Sequence, residues 1–211
     1  MGRYNDLKRK RLKDSYYKKL NLKKIDGDYF HVHRCLKKII KKNQVKTKII
    51  ILDDINSKRI SNFEFDYLFI IGGSILNRKT LSYAKKGCFV AHNTYLPKLR
   101  GFGGGEIWAA IKNDFKSIGY SIIKGEEKFD SGEILLQERI KLKKNEPFEK
   151  LILRNFDLGT NLIIKSFEKL KSKKITLKKQ LHSKATYISR HPSKQEYKKG
   201  IQNYLKALGK L

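Results

Sequence analysis

The chain of 211 residues has only two cysteines, Cys35 and Cys88. Two thiols with no Cys-x-x-Cys pair build neither a disulfide framework nor a thiolate zinc site. A reducing, cytoplasmic setting is the expectation. No apolar run approaches the ~20 residues that cross a bilayer. No apolar core follows Met1–Asp6, as a signal peptide would require. Membrane association is therefore not expected. Acids are scarce: 20 Asp and Glu stand against 49 Lys and Arg, a net charge of +29. Such a field attracts nucleic acid, anionic lipid and phosphorylated substrates. The excess is mostly lysine spread along the whole chain, which reads equally well as a solvated surface. Charge alone does not choose a function.

What is present suffices for a core. Hydrophobic residues make up 39% and aromatics 11%, more than a disordered chain carries. The length fits one ordinary domain with terminal pieces. Residues 1–28 form a basic extension, with Tyr4, Leu7, Leu12, Tyr16 and Leu20 at loosely helical spacing and a Lys8-Arg9-Lys10-Arg11 run. The pattern from 29 to 42 is again helical. His31, His33 and Cys35 would share a face on a strand but spread apart on a helix. They lack a carboxylate partner, and no metal site is expected.

From residue 47 the texture changes. "KTKIIILDD" and "FDYLFIIGG" read as buried strands. "NRKTLSYAKKG" reads as a short helix, capped by Asn77 and stopped by Gly87. "CFVAH" is the next strand. Strand, helix and strand with short joints form the βαβ unit of a parallel sheet. A helix is expected from Glu106 to Lys112. Strands at 118–125 and 132–142 could pair as neighbours. Pro147 opens a long helix whose expected buried stripe is Phe148, Leu151, Ile152, Leu158, Leu162, Ile163, Phe167 and Leu170. A basic connector from 173 leads to a terminal helix, announced by the capping box Ser193-Lys194-Gln195-Glu196. The fold class is α/β, a parallel-core sheet with helices on both faces. The expected parts are 1–28, a domain at 29–172, and a connector and helix at 173–211.

The densest segment is "VAHNTYLPKLRGFGGGEIWAAI", Val90 to Ile111. A phosphate-binding loop of the Walker type needs Gly-Lys-Ser/Thr after its glycines, but Glu106 follows Gly105. A dinucleotide fingerprint sits after the first strand of its fold, and this loop follows an inner one. Both phosphate readings fail. His92, ending a strand, precedes Leu96-Pro97-Lys98-Leu99-Arg100-Gly101, the helix of Trp108-Ala109-Ala110-Ile111, a glycine-containing strand, and Asp130-Ser131-Gly132-Glu133-Ile134-Leu135.

This ordered set resembles the folate-dependent formyltransferases, which include the glycinamide ribonucleotide, methionyl-tRNA and sugar N-formyltransferases. The likeness runs over residues 47–165 and is nearest the sugar type. It implies 10-formyltetrahydrofolate as co-substrate and an amine as acceptor, foremost the amino group of a sugar nucleotide. It implies catalytic roles for His92, a donor to the formyl oxygen, and for Asp130, its acidic partner and proton shuttle. "IIGGSIL" resembles the family's folate segment, which implies a pocket lined by Ile71, Gly73, Ser74, Ile75 and Leu76. Asn93, Arg100, Gly101 and Trp108 are the candidate substrate contacts. Two features depart from the family: Val90 stands where it has asparagine, and residues 1–28 offer no apolar first strand. The alternative is an impaired formyltransferase-like module binding nucleic acid or an acidic partner through its basic surface.

Overall fold

The computed structural model describes residues 56–71, 76–101, 104–171 and 175–209. The expected N-terminal extension, the His31, His33 and Cys35 group, the strand near 47–54, and Gly73, Ser74 and Ile75 lie outside the described residues. A four-stranded sheet runs in the order β1 (Phe65–Ile71), β2 (Ala84–His92), β4 (Gly119–Lys124), β5 (Ile134–Arg139). A short second sheet pairs β3 (Leu99–Gly101) with β6 (Thr186–Ile188) in parallel. The helices are α1 (Arg78–Ser82), α2 (Gly105–Ile111), α3 (Phe148–Leu170) and α4 (Lys194–Ala207).

The βαβ unit forms as read, with β1 and β2 parallel. The wholly parallel core does not. The chain leaves β2 through the glycine loop and α2, and returns as β4 antiparallel to β2, with β5 antiparallel to β4. The sheet is mixed because one short helix and a turn bring the chain back beside the strand it left. Asn77 caps α1 by accepting from the Thr80 N–H. The helix ends at Ser82, however, and Gly87 is no stop signal. It lies inside β2 with φ +134°, at the register shift between Phe65 and Tyr67 of β1. A glycine tolerates such a bulge without steric cost.

Alternation along β2 sorts its side chains onto two faces. Phe89 and Ala91 join Tyr120, Ile122 and Leu135 beneath α3. Cys88 and Val90 face the other way, into apolar groups with Ile70, Leu76, Leu96, Ile123 and Ile134. His92 shares their alternation, so the site lies on the face away from α3. The buried line of α3 is Phe148, Leu151, Asn155, Gly159, Leu162, Ser166 and Leu170. Phe167, expected in that stripe, is 45% exposed. Small and polar residues take the central positions because the sheet presses close: a Cβ on Gly159 would run into the Tyr120 ring.

The break expected at 172–173 is not a boundary in the packing. Tyr204 of α4 is buried with Ile107, Trp108, Phe148 and Leu151, and its hydroxyl donates to the Glu146 carbonyl at 2.8 Å. The Ser193–Glu196 capping box forms as read. Glu146 itself accepts two hydrogen bonds from Arg154, at 2.8 and 2.7 Å, which hold its carboxyl below the ordinary range.

Candidate active site

β2 delivers His92 at its C-terminal end, where the ring is nearly buried. The loop between β4 and β5 delivers Asp130, at φ +47°. The two meet: His92 Nδ1 lies 3.5 Å from Asp130 Oδ1. The other ring nitrogen, Nε2, lies 3.1 Å from the Leu99 carbonyl. Each nitrogen thus faces an oxygen. Leu99 O also accepts from the Thr94 hydroxyl at 2.7 Å, so it keeps a partner if the ring turns away.

The second carboxylate oxygen of Asp130 accepts from the Gly101 N–H at 2.6 Å. Gly101 has φ +94°, and a Cβ there would strike the Ile188 carbonyl of β6. This glycine is required by close backbone approach rather than by a phosphate. Gly104, also left-handed, opens α2. Gly101 and Gly104 thus serve the backbone path that brings β3 against His92 and Asp130.

The remaining candidates divide. Asn93 lines the space beside His92, but its amide nitrogen points at Glu106 Oε2, 3.5 Å away. It does not stand in for the missing asparagine. Arg100 is 1% exposed and its guanidinium is engaged: Nη2 donates to Gln180 Oε1 at 2.7 Å, while Nη1 reaches the Tyr187 hydroxyl and His182 Nδ1, each at 3.1 Å. Its role as a substrate grip is corrected to that of an internal tie. Trp108 belongs to the core, 7% exposed, with Arg190 over its ring at 5.2 Å. It offers no face to a substrate. Leu76 is buried with Ile70 and Cys88, whereas Ile71 is 64% exposed at the end of β1. Val90 sits between Ile70 and Ile123 in the sheet register, among apolar side chains. It presents no donor.

Sequence reasoning missed two features. Glu106 entered the sequence reading only as the residue after Gly105 and the start of a helix. It is buried and bound by Asn155 Nδ2 at 2.7 Å, and desolvation raises its pKa against that hydrogen bond. Gln180 was read as part of a basic connector, and its role appears only in the fold. Glu106 had one legible signal, an acid at the head of an apolar helix; Gln180 had none.

One small space adjoins His92, and a larger one lies along the loop that bears Asp130. Among the described residues, the void touching His92, Thr94, Leu99, Arg100 and Ile188 is about 10 Å³, room for about one water. A larger cleft of about 430 Å³ is lined by Arg78 and Leu81 of α1 and by Gly125–Lys128 of the β4–β5 loop. That loop also carries Asp130. No cluster of three metal-ligating side chains occurs among the described residues.

No family model matches the chain. Proteins named methionyl-tRNA formyltransferase do match: that of Thermotoga neapolitana is 36% identical over 115 residues, covering 54% of this chain and 36% of the relative. That of Pelagibacter ubique is 31% identical over 153 residues, covering 72% of this chain and 49% of the relative. The chain belongs to the folate-dependent formyltransferase family. It spans less than half the length of these relatives. Among solved structures, a formyltransferase from Anoxybacillus kamchatkensis, in complex with UDP-4,6-dideoxy-4-formamido-L-AltNAc and tetrahydrofolate, superposes with a TM-score of 0.59 at 18% identity, covering 74% of this chain and 80% of that one. A 4-N formyltransferase from Francisella tularensis gives 0.58 at 19%, covering 84% and 74%. These likenesses establish the formyltransferase fold. The relatives include both transfer-RNA and sugar enzymes.

Proposed function

We propose that this chain transfers a formyl group from 10-formyltetrahydrofolate to an amine, with the amino group of a sugar nucleotide as acceptor. The observation that carries the reading is the approach of His92 to Asp130 from separate segments of the chain. In support stand the family, and neighbours solved with tetrahydrofolate and an amino-sugar product.

The cleft beside the Asp130 loop fits a reduced pterin. Its volume lies in the ~300–1,000 Å³ range of small-molecule sites. The Glu126 and Glu127 carboxylates offer acceptors to ring N–H groups, and Leu81 offers an apolar wall. The co-substrate supplies the activated formyl group. His92 supplies an N–H at Nε2, aimed at developing negative charge once the ring leaves the Leu99 carbonyl. Asp130 orients the ring and takes the proton released by the attacking amine as the new nitrogen–formyl bond forms, and tetrahydrofolate departs with that proton on N10 as the N10–formyl bond breaks. The Gly101 N–H anchors the carboxylate for this exchange.

The test combines purified chain, 10-formyltetrahydrofolate and a panel of amino-sugar nucleotides, with release of tetrahydrofolate as the readout. Release that depends on one acceptor supports the reading. The water-sized space beside His92 and an apolar Val90 favour a second reading, an impaired formyltransferase-like module that binds nucleic acid or an acidic partner. Salt-sensitive retention on a nucleic-acid column without folate binding would select it.

A further inference from the structure

We propose that Gln180 is a positioning residue for the catalytic pair: its amide ties the loop bearing Asp130 to the strand that follows His92. The kinetic consequence rests on the formyl-transfer reading; the structural claim does not.

Gln180 is 7% exposed and lies on the strap between α3 and β6. Both of its amide hydrogens are donated, and its amide oxygen accepts. Nε2 donates to the Asp130 carbonyl at 3.0 Å and to the Gly132 carbonyl at 2.6 Å. Oε1 accepts from Arg100 Nη2 at 2.7 Å. Arg100 is the middle residue of β3, between Leu99, whose carbonyl meets His92 Nε2, and Gly101, whose N–H holds Asp130 Oδ2. One side chain therefore reaches both flanks of the pair.

Asp130 needs such support. Its φ of +47° is a conformation that a residue with a Cβ adopts only under constraint. The Gly101 N–H fixes its carboxylate, and Gln180 fixes its backbone. The strap is itself anchored on either side. Lys178 exchanges two backbone hydrogen bonds with Ile134, and the Thr186 N–H donates to the Lys98 carbonyl at 2.6 Å. Gln180 thus has little freedom to shift, and Asp130 inherits that rigidity. A geometric tolerance of about half an ångström separates a working constellation from a loose one.

Gln180→Glu separates positioning from mere support. The new carboxylate keeps an acceptor for Arg100 but removes both donors and sets an anionic oxygen against two carbonyls. Gln180→Met removes every hydrogen bond at nearly constant volume. Each variant of the full chain is followed by thermal melting, by the ring ¹⁵N resonances of His92, and by formyl transfer. Asp130→Asn serves as the reference for a broken pair. The expected result for Gln180→Glu is a lowered melting temperature in a chain that still folds, and a His92 Nδ1 resonance displaced toward its position in Asp130→Asn. With it, kcat falls at least tenfold while KM for 10-formyltetrahydrofolate changes less than threefold. Wild-type His92 resonances in both folded variants would overturn the proposal. Loss of folding in both would also overturn it, assigning Gln180 to stability alone. If wild-type protein transfers no formyl group, the resonances still decide the role of Gln180, while the functional reading fails separately.

Discussion

His92 Nδ1 stands 3.5 Å from Asp130 Oδ1, and both side chains are about nine-tenths buried. The strand end supplies the first and a hairpin loop the second. Together they place an imidazole beside a carboxylate. If this pair carries the chemistry, Asp130→Asn and His92→Ala each lower kcat by about 10²–10⁴, the usual yield of a positioned acid or base. Their double variant loses little more than either alone, because the two act as a unit. Steady-state rates with the active acceptor, beside melting curves that exclude unfolding, check this.

Val90 lies two residues before His92 on the same face of β2. An asparagine there would add the amide donor that the sequence resemblance leads one to expect at this point. An oxyanion donor contributes roughly 10²–10³ in rate where it has been removed, so Val90→Asn is expected to raise kcat at least tenfold. Placing an amide among Ile70, Ile123 and Leu96 costs about 1–3 kcal/mol, which lowers the melting temperature by several degrees. An unchanged rate in a folded variant would show that the site does not use a donor at this position.

Glu106 illustrates how burial makes a pH signature. Desolvation is the larger influence on it and raises its pKa from 4.5, while Asn155 opposes the rise. A carboxyl whose folded pKa exceeds its unfolded value binds its proton more tightly in the fold. Its contribution is complete below pH about 4.5 and is lost as pH rises through the folded pKa. Glu106→Gln removes that dependence. The variant should match wild type near pH 4 and be the more stable of the two at pH 8, as read by denaturant unfolding across pH. Equal slopes of stability against pH would contradict the assignment.

Gly159 tests the contact between α3 and the sheet. A methyl group there meets the Tyr120 ring. Gly159→Ala would gain helix propensity on an exposed surface, but here overpacking should cost about 1–3 kcal/mol net. Chemical denaturation measures it, and a stabilised variant would show that Tyr120 can move aside.

Much of the site was legible as a linear pattern. His92, the Leu96–Gly101 turn and Asp130 follow one another at spacings that a strand, a loop and a hairpin impose, so their order survived translation into space. The paired strands after residue 118 and the Ser193 capping box were equally local, since hydrogen bonds between near neighbours decide them. Arg100 was misread because a loop arginine looks the same in sequence whether it meets solvent or three side-chain partners. Phe167 was misread because a periodic apolar residue does not reveal that Gly159 and Ser166 are what the close-packed face can accept.

By itself the sequence determined the α/β class and the formyltransferase resemblance, and it singled out His92 and Asp130 as a candidate pair, because these rest on residue types at short, ordered separations. Only the tertiary structure decided that the sheet is mixed, that α4 belongs to the core, and that Gln180 reaches across to hold Asp130 and Arg100. Those outcomes depend on which surfaces meet when distant segments bury apolar area together and satisfy their polar groups. No local pattern encodes that choice.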